Sequence, residues 1–335
     1  MNCSIWQPHT QRSKTLFTLT ELRIPTLLSE QEGGTLALEK LAKLLNLHPL
    51  AADRFLNACV ALGLLERDTE SGQKYRNSRL SEEFLVDGKT TYLGNQFLNY
   101  DRTSYALWAD LTTKLRDWRP AETDQQVPQD DDQGSESMSA QHNLARLVGH
   151  ALAESYDFSQ HQHMLDLGGG TAAMSISVCS VHAHLQSTMF DLPAIASEAR
   201  VFVERAKLEQ QIKIVEGNFK EDELPSNFDV ALLANLMSVA SEETNRQLLR
   251  RIYGTLPDDG AIILSGWILD DSRTSPIIPV LFCLEDIGWQ TADVERTHAR
   301  YQKWLEEAGF VEIEHRHYCP PTSMIIGRKR ASNLT

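Results

Sequence analysis

Leu165-Asp166-Leu167-Gly168-Gly169-Gly170-Thr171 decides the reading of this chain. An apolar run, His163–Leu167, stops at three glycines, and a helical pattern, Ala172 to about Val181, begins directly after them. Glycine lets the backbone turn sharply and approach a ligand closely, and the following helix offers unpaired N–H groups at its start. Such a turn between a parallel strand and a helix is where an open α/β sheet binds its ligand. The next apolar strand, Ser187–Phe190, ends at Asp191, 21 residues beyond Gly170. A carboxylate there can accept hydrogen bonds from both hydroxyls of a ribose, so the spacing implies a nucleoside ligand.

Working outward, short apolar strands alternate with longer amphipathic helices from residue 140 onward, the pattern of a parallel sheet. The predicted strands are His163–Leu167, Ser187–Phe190, Ile212–Val215, Phe228–Leu233, Ala261–Gly266, Val311–His317 and Ser323–Arg328. Tyr318–Thr322 is too short for a crossover helix, so the last two strands should be antiparallel, with one reversed strand at the sheet edge. The fold class is therefore α/β, a Rossmann-like seven-stranded mixed sheet whose last strand is antiparallel, behind a mostly helical N-terminal domain. In that domain Leu36–Leu47 and Ala51–Leu62 read as helices, and Gly63–Arg67 with Lys74–Asn77 read as a two-stranded wing, together a winged-helix pattern. The polar, acidic run Arg119–Ser139 marks a linker or loop, with Asp130–Asp132 solvated, and a helix from Ala140 to about Tyr156 follows. The domains are expected at 1–120 and 140–335, joined by 121–139.

The chain has 335 residues with 32 Lys and Arg, 46 Asp and Glu, and a formal charge of −14. No apolar stretch approaches the roughly eighteen residues of a membrane span, and the first residues lack the apolar core of a secretory signal. Five scattered cysteines show neither disulfide nor zinc spacing, which suits a reducing compartment, the cytoplasm. The would-be recognition helix offers only Arg54 and Asn57 toward DNA and the first 120 residues are near-balanced in charge, so no nucleic-acid partner is expected.

Two nucleosides compete for the glycine turn. Gly168-x-Gly170-x-x-Ala173 also satisfies the dinucleotide fingerprint of NAD. Asp166, however, would oppose a pyrophosphate and suits the cationic ammonium and sulfonium of S-adenosylmethionine, and its alternative role is a cap beside the helix. Here the sequence resembles the class I S-adenosylmethionine-dependent methyltransferases of the small-molecule O-methyltransferase type, which carry a winged-helix dimerisation domain in front. The resemblance spans nearly the whole chain: LDLGGG (165–170), FDLP (190–193), EGNF (216–219), LLANLMSVASEE (232–243), LPDDGAIILS (256–265), ERT (295–297) and EEAGF (306–310). It implies that Asp166, Gly168 and Gly170 cradle the methionyl part of S-adenosyl-L-methionine, that Asp191 takes the ribose, and that Leu192, Asn218 and Phe219 surround the adenine. It also implies a homodimer formed through the N-terminal domain and a small-molecule substrate.

The sequence departs from the family where the base should stand. Family members carry L-H-D-W-x-D-E after the fourth strand, and aligning the acidic pair places Ser238 at the histidine. A serine without a neighbouring base does not deprotonate a hydroxyl near neutral pH. One supporting glutamate falls on Gly266, whereas the other is kept as Glu295; Ala172 stands for a glycine and Asn218 for an aspartate. Other candidate acid–base or substrate groups are His142 and His150, eight positions apart on the helix before the glycine turn and expected on one face, His298, and Trp289 in the insertion 267–294 that roofs the pocket in the family. Each histidine can equally be structural, and Trp289 can be packing. His161, His163, His182 and His184 flank the first strand and its helix; no metal site is expected. The expected function is methyl transfer to O, N or C of a small, planar aromatic or heterocyclic metabolite. The alternatives are a non-methylating cyclase or isomerase on the same scaffold and a winged-helix ligand-sensing regulator.

Overall fold

The computed structural model describes residues 9–68, 73–119, 131–289 and 296–331, with only the backbone course for 131–139 and for 288–289. It divides into two units, Met1–Ala106 with Asp132–Asn143, and Leu107–Asp131 with Leu144–Thr335.

In the first unit, α1 (His9–Glu21) and α2 (Ile24–Ser29) lead to β1 (Thr35–Ala37), α3 (Leu38–Leu44), α4 (Pro49–Ala61), β2 (Leu65–Arg67), β3 (Lys74–Asn77), α5 (Arg79–Phe84), α6 (Gly94–Arg102) and the start of α7 (Ser104–Ala109). The expected helix over 36–47 is shorter because Thr35–Ala37 pairs with β3, and the wing is a three-stranded sheet in the order β1-β3-β2 rather than a two-stranded one. Pro49 opens α4 at the first helical turn, where its missing N–H costs nothing, and the His48 ring accepts the Leu50 amide at 3.2 Å. Leu19, Ile24, Leu28, Leu41, Leu56 and Tyr75 are buried in the core of this unit. Asn57, one of the two polar groups of α4 noted above, accepts from Arg67 and the Tyr75 hydroxyl and donates to Asp53.

The second unit takes in α8 (Leu111–Asp117), the body of α9 (Asp131–Ser155), β4 (His163–Leu167), α10 (Ala173–Val181), β5 (Gln186–Asp191), α11 (Pro193–Ala206), β6 (Ile212–Glu216), β7 (Val230–Ala234), α12 (Glu242–Thr255), β8 (Ala261–Gly266), α13 (Ile277–Trp289), α14 (His298–Ala308), β9 (Val311–Cys319) and β10 (Thr322–Arg328). The expected linker is helical from Asp131, nine residues before Ala140. Acidic residues are favoured in a first turn, and Gln, Glu, Met and Ala favour the helix that follows. The seven strands run β6-β5-β4-β7-β8-β10-β9, parallel except β10, which is antiparallel to both neighbours. The reversed strand therefore lies inside the sheet and not at its edge: after the tight turn β10 returns to fill the place beside β8, leaving β9 outermost.

Alternation along β8 sends Ile262 and Leu264 to the core with Trp304 and Phe310, and Ala261 and Ile263 to the core with Leu152 and Phe158. At the N-terminal ends of β4 and β7, Asp229 accepts the amides of Gln162 at 2.7 Å and His163 at 3.3 Å and faces the His161 ring at 3.4 Å. Burial pushes the Asp229 carboxyl up, but these bonds outweigh it and hold it below the usual range. Asp229→Ala should cost about 1–3 kcal/mol at pH 7 by orphaning those amides. Because the folded-state pKa is depressed, the wild-type advantage is full above the unfolded carboxyl value and is lost as pH falls through the folded one. Urea unfolding at pH 7 and at pH 3 should show the gap narrow.

Candidate active site

The glycine turn sits at the C-terminal end of β4, between β5 on one side and β7 on the other, where the strand order reverses. Gly168 (φ 66°) and Gly170 (φ 57°) are in the left-handed region. A side chain on Gly168 would meet Leu236 at 2.6 Å, whereas beside Gly170 nothing lies within 4 Å. The turn thus has one packed face and one open face. Ala172 is also left-handed (φ 58°), and α10 starts after it, at Ala173.

Two carboxylates flank the turn. Asp191 accepts the Gly170 amide at 2.9 Å on one oxygen and the Leu192 amide at 2.8 Å on the other, tying the turn to the end of β5. Burial raises its pKa, with the two amides pulling the other way. Asp166, fully buried, accepts the Ser175 hydroxyl at 2.6 Å and the Ser175 amide at 3.2 Å on Oδ2, which satisfies a first-turn N–H of α10. Its Oδ1 has no partner. Burial pushes this carboxyl up to about 6, Ser175 opposes the rise and the Asp191 charge adds to it.

Asn218 and Phe219 follow β6 in a tight turn. Asp222 accepts the Asn218 amide at 2.7 Å, and the Asn218 Oδ1 accepts the Lys220 amide at 3.1 Å. With that oxygen engaged, the side chain has its Nδ2 to offer a ligand. Leu192 and Phe219 are half-buried beside it, Leu192 opening α11.

The segment aligned with the missing base lies next to the turn. Leu236–Ser238 forms one 3₁₀ turn, and Ser238 donates its hydroxyl to the Asn235 carbonyl at 3.0 Å. A side chain on Gly266 would come within 3.0 Å of the Asn235 Oδ1, so Asn235 fills the space that a residue-266 side chain would need. Asn245 on α12, fully buried, donates to the carbonyls of Met237 and Ala240 and holds this segment in place.

The remaining sequence candidates do not gather here as one cluster. His142 is buried in the first unit, whereas His150 is exposed in the second and faces Glu154 at 3.6 Å. Eight positions leave them about 80° apart around the helix at 3.6 residues per turn, within one broad face, yet the first is buried and the second exposed. His298 stacks on His315 at 4.7 Å and, with His317, Asp270 and Asp271, lines a cavity of about 260 Å³. That cavity runs from Ile268, just past β8, to His315 on β9, on the β9 side of the sheet. Glu295 and the Trp289 side chain lie outside the described residues. The histidines around β4 are bonded locally: His163 to Thr188, His182 to the Ala153 carbonyl, His184 to the Phe158 carbonyl and His161 to Tyr156.

Sequence reading missed Arg146. It lies on α9, half-buried, its Nε donates to the Ser177 hydroxyl of α10 at 3.0 Å, and no carboxylate pairs with it among the described residues. Burial lowers its pKa. A side chain on Gly149, three residues on, would meet Ser177 at 2.8 Å, so α9 runs close against α10 here, a contact that no spacing in the sequence reveals. Also missed was the cluster after β8, where Trp267 meets Phe282 edge-on at 4.4 Å and the buried Arg296 pairs with Asp286 at 2.6 Å.

Comparison with known proteins agrees with this architecture. Residues 123–311 match the O-methyltransferase domain model and residues 9–87 the O-methyltransferase dimerisation domain model. The chain is 30% identical over 326 residues to the tetracenomycin polyketide synthesis 8-O-methyl transferase TcmO of Streptomyces glaucescens, covering 95% of this chain and 93% of that one. It is 31% identical over 307 residues to the N,N-dimethyltransferase OxyT of Streptomyces rimosus, covering 89% and 87%. Among solved structures, human N-acetylserotonin methyltransferase in complex with S-adenosylmethionine superposes with a TM-score of 0.84 at 27% identity, covering 97% and 96%. A glycine turn between two carboxylates at the sheet's switch point, a dimerisation domain ahead of it and relatives along the full length agree: the chain belongs to the O-methyltransferase family of S-adenosylmethionine-dependent enzymes.

Proposed function

We propose that this enzyme transfers a methyl group to a small, planar aromatic or heterocyclic metabolite whose nucleophile needs no histidine base. The supporting observation is Asp191, which grips the turn with one lone pair on each oxygen and keeps the others for the two ribose hydroxyls. The residues present fit the cofactor: the buried, unpartnered Asp166 Oδ1 faces no donor of its own and suits a cationic ammonium, and the open face at Gly170 leaves room for the methionyl chain. Gly168 keeps the backbone close on that side, and Arg146 supplies a cation for the methionyl carboxylate. Leu192, Asn218 and Phe219 wall the adenine. The cofactor supplies an electrophilic methyl on a sulfonium, and the protein supplies alignment for an in-line displacement.

Ser238 is a positioning group here, since its proton is given to a backbone carbonyl and no base receives it. The acceptors this favours are an amine or heteroaromatic nitrogen with a free lone pair, an acidic phenol already ionised, or an activated ring carbon. Relatives that bear O-methyltransferase and N,N-dimethyltransferase names are compatible with either heteroatom. The aromatic pair Trp267–Phe282 supports a flat substrate. His142, Glu295, Trp289, His150 and His298 stay as secondary candidates for acid–base work and substrate contact. The matched dimerisation domain supports a homodimer, and the described cysteines, all free, together with the lack of any described helix long and apolar enough to cross a membrane, accord with action in the cytoplasm.

Asp191→Ala should weaken S-adenosylhomocysteine binding by about 1.5–3 kcal/mol, read by calorimetric titration. Because burial raises the Asp191 pKa, the ribose bonds are complete above the folded-state value and fade as pH falls through it, so affinity should fall on acidification more steeply in the wild type than in Asp191→Asn. Ser238→Ala should lower turnover by well under the roughly hundredfold that accompanies loss of a general base. The assay is release of S-adenosylhomocysteine with a panel of phenols, heteroaromatic amines and electron-rich rings; product formed without it would move the assignment to the non-methylating cyclases.

A further inference from the structure

The turn that carries Asn218 and Phe219 packs the Phe219 ring against the core, but a hollow remains between the turn and α12. A cavity of about 320 Å³ separates it from α12, with Phe219 and Asp222 on one wall and Thr244, Gln247, Leu248 and Arg251 on the other. Its internal bonds close the turn on itself: the Asn218 carbonyl accepts the amides of Glu221 at 3.0 Å and Asp222 at 2.8 Å, and Asp222 accepts the Asn218 amide. Such bonds fix the shape of the turn but not where it stands. Its start is fixed by Gly217, whose amide donates to the Asp191 carbonyl at 2.9 Å. Its far side is held across the cavity by Arg251, which gives one guanidinium N–H to the Phe219 carbonyl and another to the Asp222 carbonyl.

Arg251 projects from a helix that is itself fixed. Leu248, Leu249 and Ile252 are buried in the core under the sheet, and Asn245 of the same helix holds the Met237 and Ala240 carbonyls. We propose that Arg251 is a positioning residue that sets the adenine wall, and that α12 thereby registers both sides of the site, the Asn218–Asp222 turn through Arg251 and the Leu236–Ala240 segment through Asn245. The inference rests on the reading of Phe219 and Asn218 as adenine contacts. A planar guanidinium fork reaches two carbonyls at once, whereas the point charge of a lysine satisfies them one at a time. Arginine is therefore required for geometry and not merely for charge.

The test is calorimetric titration of full-length wild type, Arg251→Lys and Arg251→Met with S-adenosylhomocysteine and with 5′-methylthioadenosine, which has adenine and ribose without the amino-acid end. Arg251→Met should weaken both ligands by a similar factor, on the order of tenfold, and Arg251→Lys should fall between it and the wild type. Binding of both ligands within about twofold of wild type by a cooperatively melting Arg251→Met would overturn the proposal, as would loss confined to S-adenosylhomocysteine, which places the effect at the methionyl end. Should Arg251→Met not melt cooperatively, Arg251→Lys decides: weaker binding of both ligands supports the role and unchanged binding refutes it. Failure of the underlying site reading has a separate signature, equal affinity of wild type and Asp191→Ala for S-adenosylhomocysteine, and that result sinks both.

Discussion

The hydrogen bond from the Gly170 amide to the Asp191 carboxylate ties the ends of two adjacent parallel strands together at the one place where the sheet reverses its order. The Gly168 amide, which donates to the Phe190 carbonyl at 2.8 Å, ties the start of the turn to the same strand, so the turn is held to β5 at both ends. With both bonds, the turn, the Asp191 carboxylate and, through the Gly217 amide on the Asp191 carbonyl, the start of the Asn218–Phe219 turn form one continuous frame. Asp166 braces that frame from below by satisfying the first turn of α10, which has no side-chain cap of its own. The two carboxylates differ in their surroundings: one lies at the open edge with both oxygens bonded, the other is buried against Gly169 of the turn with one oxygen unmatched.

On the opposite side of the turn, positions 238 and 266 are coupled by space through Asn235. Asn235 occupies what a side chain on residue 266 would need, and its own backbone is left-handed, with its amide bonded to the Ser265 carbonyl. Restoring a histidine at 238 alone would place it beside Asn235, with no glutamate at 266 to orient it.

Much of this was legible in the chain. The period-two apolar strands, the glycine run and the spacing to Asp191 depend on local backbone rules, and they located the sheet and the cofactor turn. The position of β10 was not legible, because whether a reversed strand ends a sheet or enters it depends on which neighbour offers the better partner. The helix start at Asp131 was hidden by an acidic composition that suits a linker and a helix N-terminus equally. The spacing puts His142 and His150 on one broad face of their helix, but that one is buried and the other exposed is set by tertiary packing, which spacing does not carry. Arg251, Asn245 and Arg146 escaped because each acts on backbone or on a neutral hydroxyl distant in sequence, with no partner that spacing could reveal.

Ala172 stands in a left-handed conformation that costs an L-residue about 1–2 kcal/mol relative to glycine, and its methyl is sealed among Ile176, Met189 and Val203. A glycine at this point could swing through many backbone states, whereas alanine, once its methyl is packed, can hardly leave the one it occupies. The entropy of ordering the mouth of α10 is thus met during folding instead of during capture of the nucleoside.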